Sequence, residues 1–184
     1  MIDSPHELPA AWATQRLDVR DATPADAAAL TDIFNACAYV EPWDPTFHPV
    51  DRAELDRVIK RSLDGDEHAN FRLQVLRALP DGAPIGYFHL FHGAPQPEVC
   101  WISMFVMQPE FQGQKLAGEV VDALAEQLAQ AGYRAIWLHV YLRNWPALRF
   151  WTQHGFTTIV TYDGDKVMAE EAQARLRLER PLRD

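Results

Sequence analysis

Cysteine is nearly absent from the sequence: Cys37 and Cys100 are the only two among 184 residues. Two isolated cysteines are typical of reduced thiols and are too few by themselves for a zinc site, so we predict a cytoplasmic protein without a metal. No apolar run approaches the roughly 20 residues that a membrane-spanning helix needs. The N-terminus lacks the basic-then-apolar order of a signal peptide. We therefore expect neither a disulfide framework nor a membrane partner.

Basic residues are also scarce, because 17 Lys and Arg stand against 26 Asp and Glu, a formal net charge of −9. Nucleic-acid binding needs concentrated basic residues, so we expect no nucleic-acid partner. An acidic surface attracts cationic amines, but it is also a common means of solubility, which is the simpler interpretation. The length suits one domain. We predict an irregular N-terminal arm over residues 1–15, which contain two prolines and no periodicity, and a single domain over residues 16–184.

The hydrophobic pattern predicts the element order β-α-α-β-β-β-α-β-α-β-β. Alternation or short apolar runs indicate strands, and spacings of three and four indicate helices. Strands are predicted at residues 16–20, 71–79, 85–91, 99–107, 134–141, 156–162 and 175–179, and helices begin near Thr23, Asp51, Lys115 and Asn144. The second helix is predicted to end at residues 64–66. Hairpins require antiparallel pairing, so we predict an α+β fold with a mixed, mostly antiparallel central sheet and helices on both faces.

The stretch from Met104 to Leu128 organises the rest of the chain. An apolar strand ends before Pro109, a polar loop with Gly113 follows, and a helical pattern begins at Lys115. A strand, a short loop and a helix N-terminus present unpaired backbone N–H groups and the positive end of a helix dipole. An anion, most often a phosphate, is the natural occupant of such a loop.

Two motifs resemble those of the GNAT superfamily of acyl-CoA-dependent N-acyltransferases. The first is V-x-P-x-x-[QR]-G-x-G-x-[GA], the pyrophosphate-binding loop, which residues 107–117 resemble. Gln112, Gly113 and Ala117 match the pattern, and Lys115 replaces a glycine. The second is N-x-x-A-x-x-[FLI]-[YF]-x-x-x-G-F, which residues 144–156 match with Trp151 where a tyrosine is frequent. Each motif alone is modest, but their order and structural context fit the superfamily over about residues 16–182.

The resemblance implies acetyl-CoA as co-substrate. The exposed backbone of Phe105 and Met107 would pair with the pantetheine amides, where their strand diverges from its neighbour, and the loop amides would hold the pyrophosphate. The predicted cofactor-binding residues are Phe105, Met107, Gln112, Gly113, Gln114, Lys115, Leu116, Ala117, Asn144 and Phe150. Lysine at position 115 keeps the backbone N–H, so the phosphate cradle can persist if the local φ is negative, whereas a position that needs positive φ should lower the affinity. Its side chain either contacts phosphate or points to solvent.

The resemblance also implies an N-acetyltransferase that transfers the acetyl group to a primary amine of a small molecule by direct attack. Trp151 cannot protonate the leaving thiolate as the family tyrosine does, which leaves Tyr141 or no acid at all. An amine must lose a proton before attack, yet the expected glutamate position holds Trp101 or Ser103, neither of which is a base. The predicted catalytic residues are Glu41, Ser103 as holder of a relay water, and Tyr141.

The acceptor site is predicted in the aromatic segment 39–50 and the neighbouring strands. We name Tyr39, Trp43, Tyr87 and His89 as substrate-binding residues, suited to an amine with an apolar body or to a cation on ring faces. The alternative is that these rings are core, which is the better interpretation for Trp101. Two other functions stay open: an acyl-CoA-binding module without turnover, and a protein or peptide amine acetyltransferase. We expect a monomer or a homodimer.

Overall fold

The computed structural model describes residues 8–64, 70–167 and 169–182. The strands in this part of the chain are β1 (Ala11–Ala13), β2 (Leu17–Asp21), β3 (Phe71–Ala78), β4 (Pro84–His92), β5 (Val99–Met107), β6 (Ala135–Tyr141), β7 (Thr158–Gly164) and β8 (Ala174–Pro181). The α-helices are α1 (Ala27–Ala36), α2 (Arg52–Asp64), α3 (Leu116–Gln130) and α4 (Trp145–Gln153). No helix of the described ranges is long and apolar enough to cross a membrane.

The strands form one sheet in the order β1-β2-β3-β4-β5-β6-β8-β7. Neighbours are antiparallel except β5 and β6, which are parallel. Helices α1 and α2 pack on one face, with Leu30 and Ile59 against Val75. Helices α3 and α4 pack on the other, with Val120 and Trp151 in the second core. The predicted α+β architecture and its order of elements are confirmed.

The prediction of an irregular arm through residue 15 is wrong at β1. Ala11–Ala13 pairs with β2, and Trp12 is buried there with its indole Nε1 donating to Gln74 Oε1 at 2.9 Å. A three-residue strand is too short to show a period, and its anchor lies 62 residues away in sequence. Residues 1–7 lie outside the described ranges, as does most of the predicted helix end at residues 64–66. Strand β7 is also displaced from the prediction, covering Thr158–Gly164 instead of 156–162.

The junction between β5 and β6 opens partway along the two strands. Their register runs from Val99 opposite Ala135 to Ile102 opposite Leu138 and ends there, although both strands continue. On its other side β5 carries an extra residue, because His89 pairs with Met104 and the next β4 residue pairs with Ile102. This bulge leaves Ser103 without a β4 partner and bends the strand. A gap between two parallel neighbours therefore begins at Ser103.

Candidate active site

A cleft of about 1420 Å³ passes through this gap. One end, the cofactor end, is walled by the start of α3 and by α4. The other, the acceptor end, is walled by the 39–50 segment and by side chains of β4, β5, β6 and β8. A cleft of this size exceeds the usual range for a drug-sized ligand, so it has room for a cofactor and an acceptor together.

The phosphate loop (residues 112–118) forms the cofactor end. Gly113 has φ 74°, and Lys115 has φ 64° and ψ 8° as the residue that precedes α3. The backbone N–H groups of residues 113–118 donate to no other group in the described part of the chain. They lie at the N-terminus of a 15-residue helix, where the dipole favours negative charge. This arrangement has the geometry that the predicted anion-binding site requires.

Lys115 does not meet the condition of negative φ. It is the one non-glycine residue with positive φ among the described residues. The left-handed conformation costs a non-glycine residue roughly 1–2 kcal/mol, so the chain tolerates strain at the position where the motif has glycine. The side chain is exposed, and the backbone N–H is retained.

Arg16, on the approach to β2, holds the loop and the helix together. Its backbone N–H donates to Glu119 Oε1 at 2.8 Å, its Nε to Glu119 Oε2 at 2.7 Å, and a terminal nitrogen to the Gln114 carbonyl at 3.1 Å. Burial would raise the pKa of Glu119, but hydrogen bonds from Thr14 and Arg16 and the Arg16 charge outweigh it and lower that pKa. The carboxylate in the first turn of α3 is therefore charged, and Arg16 neutralises it beside the anion site.

Met107 lines the cleft at the end of β5, and its role in binding pantetheine stays a prediction. Its carbonyl already accepts from Gln112 Nε2 at 2.8 Å and from Cys37 Sγ at 3.5 Å, and its side chain is buried. Gln112 Nε2 also donates to the Tyr39 hydroxyl at 2.6 Å. Gln112 thus joins the phosphate loop to the end of β5 and to the 39–50 segment. Phe105, the other predicted pantetheine contact, lines the divergent part of the gap. The Met107 carbonyl accepts two side-chain hydrogen bonds, whereas the Phe105 carbonyl accepts none from the described residues.

The remaining predicted cofactor residues occupy the same end of the cleft, apart from Gln114. Leu116, Ala117, Asn144 and Phe150 line the cleft. Gln114 is exposed and its side chain donates back to the Glu110 carbonyl at 2.7 Å.

Asn144 caps α4, because its Oδ1 accepts from the Ala147 N–H at 3.1 Å. The cap occupies the side-chain oxygen and leaves the amide nitrogen without a partner among the described residues. Trp151 is buried and packs edge-on against Phe105, Phe150 and Phe156. The indole at the usual tyrosine position is therefore a packing residue of the cofactor end.

The catalytic candidates separate into two groups. Ser103 and Tyr141 line the cleft, Ser103 at the bulge where the gap begins and Tyr141 at the end of β6. Glu41 is exposed and is not part of the cleft wall. It directly follows the 3₁₀ turn Ala38–Val40, within which Tyr39 and Val40 face the cleft. Two other carboxylates, those of Asp44 and Glu54, line the acceptor end of the cleft, whereas that of Glu41 does not.

The four predicted substrate-binding residues all line the acceptor end. Tyr39 and Trp43 meet edge-on with ring centroids 6.2 Å apart. Tyr87 is buried, and burial raises its pKa, so its hydroxyl stays neutral. Burial, helped by the Arg61 charge, lowers the pKa of His89 to about 4, and its Nε2 is buried without a partner among the described residues. His89 is therefore neutral at pH 7.

Two residues of the acceptor end were missed by the sequence analysis. His139 of β6 and Arg175 of β8 line the cleft, and Trp101, which was expected in the core, lines it beside His139 with ring centroids 4.6 Å apart. The signal was present in the sequence, because Trp137, His139 and Tyr141 alternate with three aliphatic residues and so share the opposite strand face.

Residues 28–156 match the Acetyltransferase (GNAT) family. The chain belongs to this family. A comparison with curated protein sequences finds no significant match. As a member of this acetyltransferase family, the chain is an acyl-CoA-dependent acyltransferase with acetyl-CoA as its co-substrate. Two solved structures of the same fold hold CoA and acetyl-CoA, respectively. The phosphate loop and the gap beside β5 fit this group, because one offers unpaired N–H donors to a pyrophosphate and the other an unpaired strand edge to amides.

Solved structures of this family share the fold at low sequence identity. An acetyltransferase from Thermus thermophilus is 23% identical with a TM-score of 0.70, covering 92% of this chain and 99% of that chain. The ribosomal-protein-S5-alanine acetyltransferase from Vibrio fischeri is 14% identical with a TM-score of 0.76, covering 96% and 98%. The spermidine N-acetyltransferase from Vibrio cholerae, in complex with CoA and spermine, is 16% identical with a TM-score of 0.72, covering 90% and 95%.

Proposed function

We propose that this GNAT acetyltransferase transfers the acetyl group of acetyl-CoA to the primary amine of a small molecule by direct attack. The observation that carries the proposal is the gap beyond Ile102 and Leu138, which joins an anion site at one end to an aromatic pocket at the other. The phosphate loop would fix the pyrophosphate, so the thioester would lie at the gap. An amine in the aromatic pocket then approaches the carbonyl from the opposite side, and positioning supplies much of the rate enhancement.

Direct attack is favoured because neither of the two cysteines, both in the described part of the chain, is an activated nucleophile. Burial raises the pKa of the Cys37 thiol, and its sulfur is directed at the Met107 carbonyl. Burial also raises the pKa of Cys100, which is fully buried. A thiol is a good nucleophile only as the thiolate. These are the two cysteines of the sequence, so an acetyl-cysteine intermediate is not expected.

Proton transfer is assigned to the side chains that flank the gap. In this proposal Ser103, at the bulge, orders a water that takes the ammonium proton toward Asp44 or Glu54, because all three residues line the cleft. Tyr141 returns a proton to the departing thiolate, as the substitute for the tyrosine that Trp151 replaces. Positioned general acids and bases typically contribute about 10²–10⁴-fold to a rate.

A protein or peptide amine is the second candidate acceptor, because one protein with this fold is a ribosomal-protein-S5-alanine acetyltransferase. Another is a spermidine N-acetyltransferase, whose acceptor is a small molecule. The 39–50 segment favours a small molecule, because Tyr39, Trp43 and Phe47 line the acceptor end from this segment and narrow the approach. We also keep the predictions of a cytoplasmic location, of no nucleic-acid partner and of a monomer or homodimer.

The test is thiol release from acetyl-CoA with panels of small amines and of peptides. We expect turnover with small amines that exceeds turnover with peptides, and a loss of about 10–100-fold in kcat for Tyr141→Phe. Tyr162→Phe is the matched control, because Tyr162 is exposed on the edge strand β7. Micromolar CoA binding without thiol release across both panels would favour the binding-module alternative and contradict the proposal.

A further inference from the structure

One face of the paired strands β6 and β8 is lined by alternating aromatic and basic side chains. Tyr141 lies opposite Arg175, and His139 lies opposite Arg177. Residues of this face are next to one another because side chains at alternate positions of paired strands point the same way. Tyr141, His139 and Arg175 line the acceptor end of the cleft. The wall at this end is therefore basic, although the protein as a whole carries a formal charge of −9.

His139 is fixed in this wall as a neutral hydrogen-bond donor. Arg177 Nε donates to His139 Nε2 at 3.3 Å. Burial and the charges of Arg175 and Arg177 lower the pKa of His139. A neutral imidazole that accepts at Nε2 carries its proton on Nδ1. His139 therefore has a donor, not a base, to offer a ligand.

One of the two arginines has a carboxylate partner among the described residues. Arg175 Nε pairs with Asp163 at 2.6 Å, and its guanidinium also hydrogen-bonds the side chain of Tyr141. Part of its five-donor fork stays open to another acceptor. Arg177 has no carboxylate partner among the described residues and lies over the rings of Trp101 and Trp137, at 5.4 and 5.6 Å from their centroids. Glu179, the next residue on this face, is already bound by Trp137 and Arg134.

A guanidinium without a carboxylate partner beside His139 and Trp101 of the cleft wall points to an anion. We propose that the acceptor carries a carboxylate beside its amine and that Arg175, supported by His139 and Arg177, holds that carboxylate. The proposal rests on the proposed function. Arginine offers a planar fork that matches carboxylate geometry. A polyamine would be repelled by this wall, whereas a molecule with an ammonium and a carboxylate matches both this wall and the acidic side chains of Asp44 and Glu54 on the other side of the cleft. The acceptor class is an α-amino acid or a close analogue.

The experiment compares amino acids with the amines that lack their carboxylate. Phenylalanine, methionine and leucine are measured against phenethylamine, 3-(methylthio)propylamine and isopentylamine, with spermidine as a polycation, by thiol release from acetyl-CoA. We expect kcat/KM for at least one amino acid to exceed that of its decarboxylated partner by tenfold or more. Equal or faster turnover of the decarboxylated amines would overturn the proposal while leaving the proposed function intact.

Single substitutions test whether Arg175 causes the preference for amino acids. Arg175→Gln should lower kcat/KM for the amino acid, mostly through KM, about tenfold more than it lowers kcat/KM for the decarboxylated amine. Arg20→Gln is the matched control, because Arg20 also lies on a strand and pairs with a carboxylate, Asp18, but is remote from the cleft wall. An equal loss for both substrate series in Arg175→Gln would show a structural role and overturn the assignment.

A binding measurement separates this proposal from the proposed function. CoA-loaded protein is titrated calorimetrically with the same two series. If no member of either series releases thiol, the proposed function fails, and preferential binding of the amino acids would still support the carboxylate subsite. Failure of every amino acid to bind, or equal binding of both series, would overturn it.

Discussion

The two ends of the cleft are built in different ways. The cofactor end consists of backbone N–H groups from six consecutive residues at one helix N-terminus, and these groups do not titrate. The acceptor end consists of side chains from the 39–50 segment and four strands, and it includes two histidines with lowered pKa values, His89 and His139. The cofactor end, which is formed by the backbone of one loop, recognises the charge of a phosphate. The acceptor end is formed by side chains that are far apart in sequence, so substitutions there can change which acceptor is bound.

The largest expected effect is the acid sensitivity of the acceptor end. The pKa of His89 is about 4 in the folded protein and about 6.5 in an unfolded chain. Below pH 6.5 the unfolded chain therefore binds a proton that the folded protein does not. The stabilisation is complete above pH 6.5 and is lost as the pH falls toward 4, by on the order of 3 kcal/mol.

Denaturant unfolding at several pH values measures this loss. His89→Phe keeps an aromatic ring beside Phe71 and Tyr87 and removes the titration, so the free energy of unfolding should fall less steeply between pH 6.5 and 4.5. Identical slopes in the two proteins would show that His89 does not control this region.

A bulky residue in the phosphate loop should give the next largest effect. Gly113→Val places a β-branched side chain at φ 74° where the pyrophosphate would bind. We expect CoA affinity to fall tenfold or more, about 1.4 kcal/mol. Gly82→Val is the matched control, because Gly82 has φ 69°, an equally open environment and a place in the β3–β4 turn.

Both valine variants should lose similar stability, about 1–2 kcal/mol, so only CoA binding distinguishes them. Isothermal titration with CoA and thermal unfolding provide the two measurements. Equal CoA affinities in the two variants would contradict the placement of pyrophosphate at the loop.

Removal of Arg16 tests whether a side chain supports the backbone-built end. Arg16→Gln leaves the Glu119 carboxylate uncompensated beside the anion site. One unscreened charge at a few ångströms is worth about 1 kcal/mol in water, so we expect roughly fivefold weaker CoA binding. Arg20→Gln should leave CoA binding unchanged. If Arg16→Gln binds CoA as tightly as the wild type does, the backbone N–H groups of the phosphate loop recognise CoA without help from Arg16.

The smallest effect is expected at Lys115. Lys115→Gly relieves about 1–2 kcal/mol of left-handed strain but increases the entropy of the unfolded chain by about 0.5–1 kcal/mol, so we expect a net gain near 0.5 kcal/mol. CoA affinity should change less than twofold, because the N–H remains. Lys115→Ala, which keeps the strain and removes the charge, is the companion variant. A tenfold loss of affinity in both variants would show that the ammonium group binds phosphate.

The elements that depend on local sequence patterns could be predicted from the sequence. Gly113, Pro109 and the apolar spacing after Lys115 predict a strand, loop and helix because each preference acts within a few residues. The second motif predicts the α4 cap at Asn144 for the same reason. Strand β1 was missed because its burial depends on Gln74.

The acceptor end could be predicted only in part. The aromatic residues of segment 39–50 and of β4 were located correctly, but His139 and Arg175 meet only because β6 pairs with β8 rather than with the adjacent β7. A strand order that inverts the last two strands is a long-range property. Likewise, Glu41 was a candidate by sequence proximity, while the segment that carries it places Asp44 in the cleft wall instead.

The short register between β5 and β6 has a consequence for how the molecule holds together. Four residue pairs, from Val99–Ala135 to Ile102–Leu138, form the whole strand-to-strand seam between the half-sheet β1–β5 and the half-sheet β6-β8-β7. A cofactor bound along the open edge of β5 would lengthen that seam, acting as a removable strand. Because the two half-sheets also share one hydrophobic core under α3, they stay one body without CoA, but they should separate less readily when CoA is bound.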